Sequence, residues 1–246
     1  MPAENLQPKE ISFYADSLHL HGTLHLPAGG GHPAVVIGCH GLYSNQDSPK
    51  QIALARACNA RGLAFFRFDH RGCGRSQGEF ERVTSLAARG MDLKMALAAI
   101  KNRLPTCPRL GLFGSSMGGT VCLSVAAELK VDSIVTFAAP LCSDIDRRQL
   151  WPAGDPKIPG IFLDAAKSDF DISAGLPQVR NLLIIHGEKD QTVPLSHARE
   201  IYRLAGDPKK LIVQPNGDHR MSNAIHQEQF IQAAARWFEA GLITPL

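Results

Sequence analysis

The stretch LGLFGSSMGGTVCLSVAAEL, residues 110–129, decides how the rest of the chain is read. Residues 110–113 form a short apolar run of strand type, and residues 116–129 carry apolar side chains at helical spacing. Between them Gly114-Ser115-Ser116-Met117-Gly118 fits the pattern G-x-S-x-G. A strand that turns directly into a helix holds its central residue in a crowded backbone conformation, and glycines on either side relieve the crowding. The Ser116 hydroxyl would then stand at the carboxyl edge of a sheet, where a helix N-terminus favours developing negative charge. Ser116 is therefore the candidate nucleophile. A plain Gly/Ser turn would need neither the strand before it nor the helix after it.

Outward from this turn, strand-type and helix-type segments alternate. Upstream lie an opening hairpin (11–14 and 18–26), an apolar run at 34–39 and a helix over 49–61 ended by Gly62. A strand at 63–68 and a helix over Leu86–Arg103 follow. Downstream come strands at 133–138, 182–185 and 210–214, a helix over Leu195–Leu204 and a last helix near 222–240. This order predicts an α/β fold, with a mostly parallel central sheet and helices on both faces, in a single domain spanning 1–246. One interval breaks the rhythm. Residues 140–180 carry Pro140, Pro152, Pro156, Pro159 and Pro177 and no clear strand, so a small lid or cap insertion is expected there.

Serine needs a positioned base, and the base needs an acid that holds one tautomer. Where the nucleophile sits on such a turn, the chain order is Ser, then Asp or Glu, then His. Asp190 follows the strand at 182–185 within His186-Gly187-Glu188-Lys189-Asp190, and His219 follows the strand at 210–214 within Asn216-Gly217-Asp218-His219. These residues complete a candidate Ser116–Asp190–His219 triad. Asp164, Asp169 and Asp171 are alternative acids in the expected lid, whereas Ser115 and Asp218 occupy the wrong places in their motifs. His40, His70 and His186 abut loops near the site and read as structural or as supports behind the reacting residues.

Together with His40-Gly41-Leu42 and Asp69-His70-Arg71-Gly72-Cys73-Gly74-Arg75-Ser76, these motifs resemble those of the α/β-hydrolase superfamily. The likeness runs from about residue 10 to 240, and within the superfamily the chain is similar to small serine esterases of the cinnamoyl and feruloyl type. The resemblance implies an α/β-hydrolase fold with an oxyanion hole formed by the backbone N–H groups of Leu42 and Met117. That family often has Phe after His-Gly and Gln after the nucleophile. Leu42 and Met117 depart from this, which alters the pocket lining and leaves the backbone donors in place. The implied reaction is cleavage of short-chain or aromatic carboxylic esters through an acyl-enzyme, on a small-molecule ester, with no metal and no organic cofactor. The same triad serves thioesterases, small-peptide hydrolases and perhydrolases, and a non-catalytic binding protein of this fold is the reading from a different class.

Composition excludes several other functions. The chain has 246 residues, 44% hydrophobic and 20% charged, with a formal net charge of +3 and no basic run, so neither nucleic acid nor a membrane surface is expected as a partner. No stretch approaches the roughly 18 apolar residues of a membrane span, and the N-terminus does not read as a secretion signal. A cytoplasmic location is the expectation. Six cysteines occur singly, with no C-x-x-C pair, and read as free thiols. GSSMGGT lacks the lysine of a phosphate loop, and Gly72, Gly74 and Gly78 lack dinucleotide-loop spacing and read as tight-turn residues. His19, His21 and His25 share one strand face, expected to be the solvated face of an edge hairpin.

Overall fold

The apolar runs become strands because each has helices to pack against on both sides. The computed structural model describes residues 7–29, 31–143 and 169–243. Its strands are β1 (Lys9–Ala15), β2 (Leu18–His25), β3 (Val35–Cys39), β4 (Ala64–Phe68), β5 (Leu110–Ser115), β6 (Ser133–Phe137), β7 (Leu182–Gly187) and β8 (Lys209–Gln214). They form one sheet in the order β1-β2-β4-β3-β5-β6-β7-β8. The β1/β2 and β2/β4 pairs are antiparallel, and every pair from β4 to β8 is parallel. All residues of β3, β4, β6 and β7 are buried, as expected for parallel strands covered on both faces.

The helices are α1 (Pro49–Asn59), α2 (Phe80–Val83), α3 (Leu86–Arg103), α4 (Met117–Leu129), α5 (Leu195–Leu204) and α6 (Ala224–Leu242). One face of the sheet is closed by α1 and α6, through Leu54, Cys58, Phe230, Phe238 and Leu242. The other is closed by α3, α4 and α5, through Leu93, Leu97, Ile100, Val121 and Ile201. Helix α3 has the ends its spacing predicts. Ser85 starts it by accepting a hydrogen bond from the Ala88 N–H at 3.1 Å, a cap worth about 1 kcal/mol.

The fold is the predicted one, mostly parallel with helices on both faces, and element ends shift by a residue or two. The four residues of α2 and a 3₁₀ turn over Ser173–Gln178 were not expected from the sequence. Of the interval expected as a lid, residues 144–168 lie outside the described residues. Its flanks belong to the core: Leu141, Ile172, Leu176 and Val179 are buried, and Cys142 bridges to Asp171. The expectation for the β2 histidines needs correction. The β1/β2 hairpin does lie at the edge of the sheet and His19 and His21 are half-buried, but His25 is buried where β2 pairs with β4, its Nε2 accepting a hydrogen bond from Arg67 Nε at 2.9 Å. All six cysteines are free. Among the described residues, no helix is long and apolar enough to cross a membrane, and no group of three or more His, Cys, Asp or Glu is placed to hold a metal ion.

Candidate active site

At the carboxyl end of β5 the chain turns into α4 through Ser116, whose backbone lies at φ 52°, ψ −125°. A side-chain-bearing residue in this region carries strain of about 1–3 kcal/mol, which the surroundings must hold in place. Here the Ser116 N–H donates to the Phe137 carbonyl at 2.7 Å, and the Ser116 carbonyl accepts from the Gly119 N–H at 2.8 Å. The turn also demands the two glycines. A Cβ on Gly114 would lie 2.3 Å from the Gly118 carbonyl oxygen, and one on Gly118 would lie 2.2 Å from the Cys39 carbonyl oxygen.

Two further loops reach the same edge, after β7 and after β8, and they are locked to each other. The Lys189 N–H donates to the Gly217 carbonyl at 2.8 Å, and the Glu188 N–H to the Gln214 carbonyl at 2.9 Å. This lock sets Asp190 against His219. His219 Nδ1 lies 2.8 Å from Asp190 Oδ2, and Nε2 lies 3.0 Å from Ser116 Oγ. The other carboxylate oxygen, Oδ1, accepts from the Thr192 and Val193 N–H groups at 2.9 and 2.8 Å. Asp190 is buried, so its charge is met by these donors rather than by water. An ionised Asp190 fixes the proton of neutral His219 on Nδ1 and leaves Nε2 as the acceptor facing the serine.

The three residues picked from the sequence are thus brought together, and the competing acids are not. Asp169 bonds Ser143 Oγ, and Asp171 accepts from the Ser173 N–H. Asp218 accepts from the Ser222 N–H, while Asp164 lies outside the described residues. His186 is buried under the acid: its Nε2 donates to the Val193 carbonyl at 2.8 Å and lies 3.4 Å from Asp190 Oδ2. Burial holds the His186 pKa below its ordinary value.

Leu42 lines the same cavity as Ser116 and His219, about 430 Å³ in volume. Met117 opens α4, so its N–H is one of those without an intrahelical acceptor. The His40–Leu42 loop is pinned from below. A neutral His40 donates from Nδ1 to the Gly41 carbonyl at 2.7 Å and accepts the His70 N–H on Nε2 at 3.0 Å. Burial, helped by His70 and Arg89, keeps its pKa well below the usual histidine range. Arg89, 1% exposed, holds the Leu42 carbonyl at 2.9 Å, Thr84 Oγ1 at 3.0 Å and Cys73 Sγ at 3.3 Å. The turn after β4 is built as expected, with Gly72, Gly74 and Gly78 all at positive φ.

Three residues near the site escaped the sequence reading: Arg89, Lys50 and Gln51. Gln51 stands in the buried stripe of α1 with Leu54, Ala55 and Cys58, and Arg89 in that of α3 with Gly90, Leu93 and Ala96. A polar residue at an apolar position was the available signal. Lys50 also lines the cavity, and burial pulls its pKa down to about 8 against the attraction of Asp218 and Asp190.

A family model described as serine aminopeptidase, S33, matches residues 30–153. The chain belongs to that family. Among relatives, the uncharacterized protein YfhR of Escherichia coli O157:H7 is 31% identical over 195 residues. That match covers 76% of this chain and 63% of YfhR, so the chain spans somewhat less than two thirds of that relative's length. The mitochondrial palmitoyl-protein thioesterase ABHD10 of Mus musculus is 28% identical over 210 residues, covering 76% of this chain and 69% of that protein. Among solved structures, Est1E of Butyrivibrio proteoclasticus with ferulic acid bound superposes with a TM-score of 0.80 at 18% identity. It covers 95% of this chain and 100% of Est1E, a likeness of fold.

Proposed function

We propose that the protein is a serine hydrolase that cleaves carboxylic esters through an acyl-enzyme. One observation carries the reading: a single imidazole bridges Ser116 Oγ at 3.0 Å and a buried carboxylate at 2.8 Å. The family match and the fold support a hydrolase of the α/β-hydrolase kind.

In the proposed reaction His219 Nε2 takes the Ser116 proton as Oγ attacks the ester carbonyl carbon, and Asp190 stabilises the imidazolium. The carbonyl oxygen becomes an oxyanion facing the Leu42 and Met117 N–H groups, each donor of this kind being worth about 3–4 kcal/mol. Collapse expels the alcohol, which takes the proton from His219. Water then adds to the acyl-enzyme with His219 again as base, releasing the acid and restoring Ser116. The substrate is a small-molecule ester. No step draws on a metal or an organic cofactor.

The test is covalent labelling by a fluorophosphonate, followed by turnover of a panel of 4-nitrophenyl esters, thioesters and aminoacyl amides. Ser116 carries the label, and Ser116→Ala lowers kcat by a factor on the order of 10⁶ where the triad acts as a unit. A Ser116→Ala protein that keeps a tenth of wild-type turnover overturns the proposal. Faster turnover of thioesters or amides than of esters moves the reaction to that class with the same residues.

A further inference from the structure

The cavity beside Ser116 is polar in a one-sided way. Two cations, Lys50 and Arg220, line it, and among the described residues no carboxylate does. Its wall also holds Gln51, which is 1% exposed and whose Nε2 and Oε1 both lack hydrogen-bond partners. Leaving a buried amide unpaired is unfavourable, so such a group in a cavity wall points to an occupant that pairs with it. The sequence makes room for it. A Cβ on Gly38 of β3 would lie 2.3 Å from Gln51 Oε1, so any other residue there would push the amide out of place.

Lys50 stands beside it at the start of α1. Its Nζ donates to the Arg220 carbonyl at 3.3 Å and lies 4.7 Å from the centre of the Phe137 ring. Among the described residues no carboxylate forms an ion pair with it; Asp218 and Asp190 act on it only through space. A partly desolvated ammonium with unused donors and an amide N–H₂ in the same wall are two donors for one acceptor group. An anion satisfies both, and a carboxylate matches them with two oxygens.

We propose that the site selects esters bearing a free carboxylate on one arm, held by Lys50 Nζ and Gln51 Nε2 while Ser116 attacks the ester at the other end. The substrate class is then the half ester of a dicarboxylic acid, or an ester of a hydroxy- or phenol-carboxylic acid. This rests on the hydrolase reading above and narrows it.

The experiment compares two pairs of substrates of matched length. Mono-4-nitrophenyl glutarate, with the carboxylate on the acyl arm, is set against its methyl-capped diester. 4-Carboxyphenyl butanoate, with the carboxylate on the alcohol arm, is set against its methyl-capped form. In at least one pair the free carboxylate raises kcat/KM roughly ten- to a hundredfold, the range of a charged hydrogen bond. Lys50→Met and Gln51→Leu each lower that ratio. Because the ratio is taken within one protein, a variant of low overall activity still reports it.

A wild-type reading needs no variant. The preference holds at neutral pH and declines as pH rises through about 8, where Lys50 loses its charge. The other titratable groups facing Lys50 are Asp218, Asp190, His219, Tyr43 and Arg220, and a change in His219 acts on both members of a pair alike. Equal kcat/KM within both pairs, or a preference that survives Lys50→Met, overturns the inference and leaves the hydrolase reading standing. A protein that turns over none of the four and takes no fluorophosphonate on Ser116 refutes the hydrolase reading itself.

Discussion

Asp190→Asn tests the geometry more sharply than any other single change. In the native site Oδ1 receives two backbone N–H groups, from Thr192 and Val193, at 2.9 and 2.8 Å. Those donors require an oxygen. In the variant the amide oxygen therefore takes the Oδ1 place, and the N–H₂ group is left where Oδ2 faced His219 Nδ1 at 2.8 Å. A donor there makes Nδ1 the acceptor, so the ring proton moves to Nε2, which then faces Ser116 Oγ as a donor. A base already carrying its proton cannot take one from serine. In a comparable triad this tautomer error costs roughly 10⁴ in kcat, about 5.5 kcal/mol of barrier. The assay is kcat on one activated short-chain ester for Asp190→Asn, Asp169→Asn, Asp171→Asn and Asp218→Asn, with thermal melting to show that each protein is folded. The last three stay within about threefold of wild type, since their carboxylates bond elsewhere. A folded Asp190→Asn protein within tenfold of wild type would refute the assignment of the acid.

Arg89→Met removes the guanidinium that holds the Leu42 carbonyl. It lowers kcat by roughly ten- to a hundredfold with a smaller change in KM, because misplacement of about 1 Å at a reacting centre costs that much; an unchanged kcat in a folded variant would separate Arg89 from the loop. Phe230→Ala empties a fully buried site between Phe113 and Phe137, with ring centroids 5.5 and 6.0 Å away. It costs about 3–5 kcal/mol in denaturant unfolding, and a loss below 1 kcal/mol would contradict the packing. The His25 pKa falls from 6.5 to about 4 through burial and then the charges of Arg67 and Arg56. The unfolded chain thus binds the proton first on acidification, and stability present above pH 6.5 is lost as pH falls toward 4. Melting temperature against pH in His25→Gln has a shallower slope over that window, and an unchanged slope would place the acid sensitivity elsewhere.

How much of this was readable in the sequence depended on whether the cause was local. The turn at Ser116 was legible because its demand is local: a strained residue between two glycines with no space for a Cβ. The strands from β3 to β7 were legible because burial on both faces leaves short, mostly apolar runs. The burial of the His25 end of β2 was not, because it comes from a pairing that skips along the chain, His25 with Phe65 of β4. Alternation along β2 revealed that His25 shared a face with His19 and His21, and the sequence held no sign that Arg67 would cover that end.

Two of the three residues that were missed share one property. Arg89 and Gln51 each interrupt an apolar helical stripe, and a polar group at such a position normally costs about 1–3 kcal/mol if it finds no partner. Arg89 has its partners in Leu42, Thr84 and Cys73, and so serves the loop beside the nucleophile. Gln51 has none within the described residues, yet it lies in the wall of the same cavity, above a strand glycine that leaves it space. These two exceptions to the core pattern converge on one site from opposite faces of the sheet, whereas Asp92, buried in the same stripe of α3, pairs with Arg71. One is satisfied by the protein itself. By the same rule the other is left for the substrate, and the carboxylate proposed for it is the group that answers its N–H₂ and the Lys50 ammonium together.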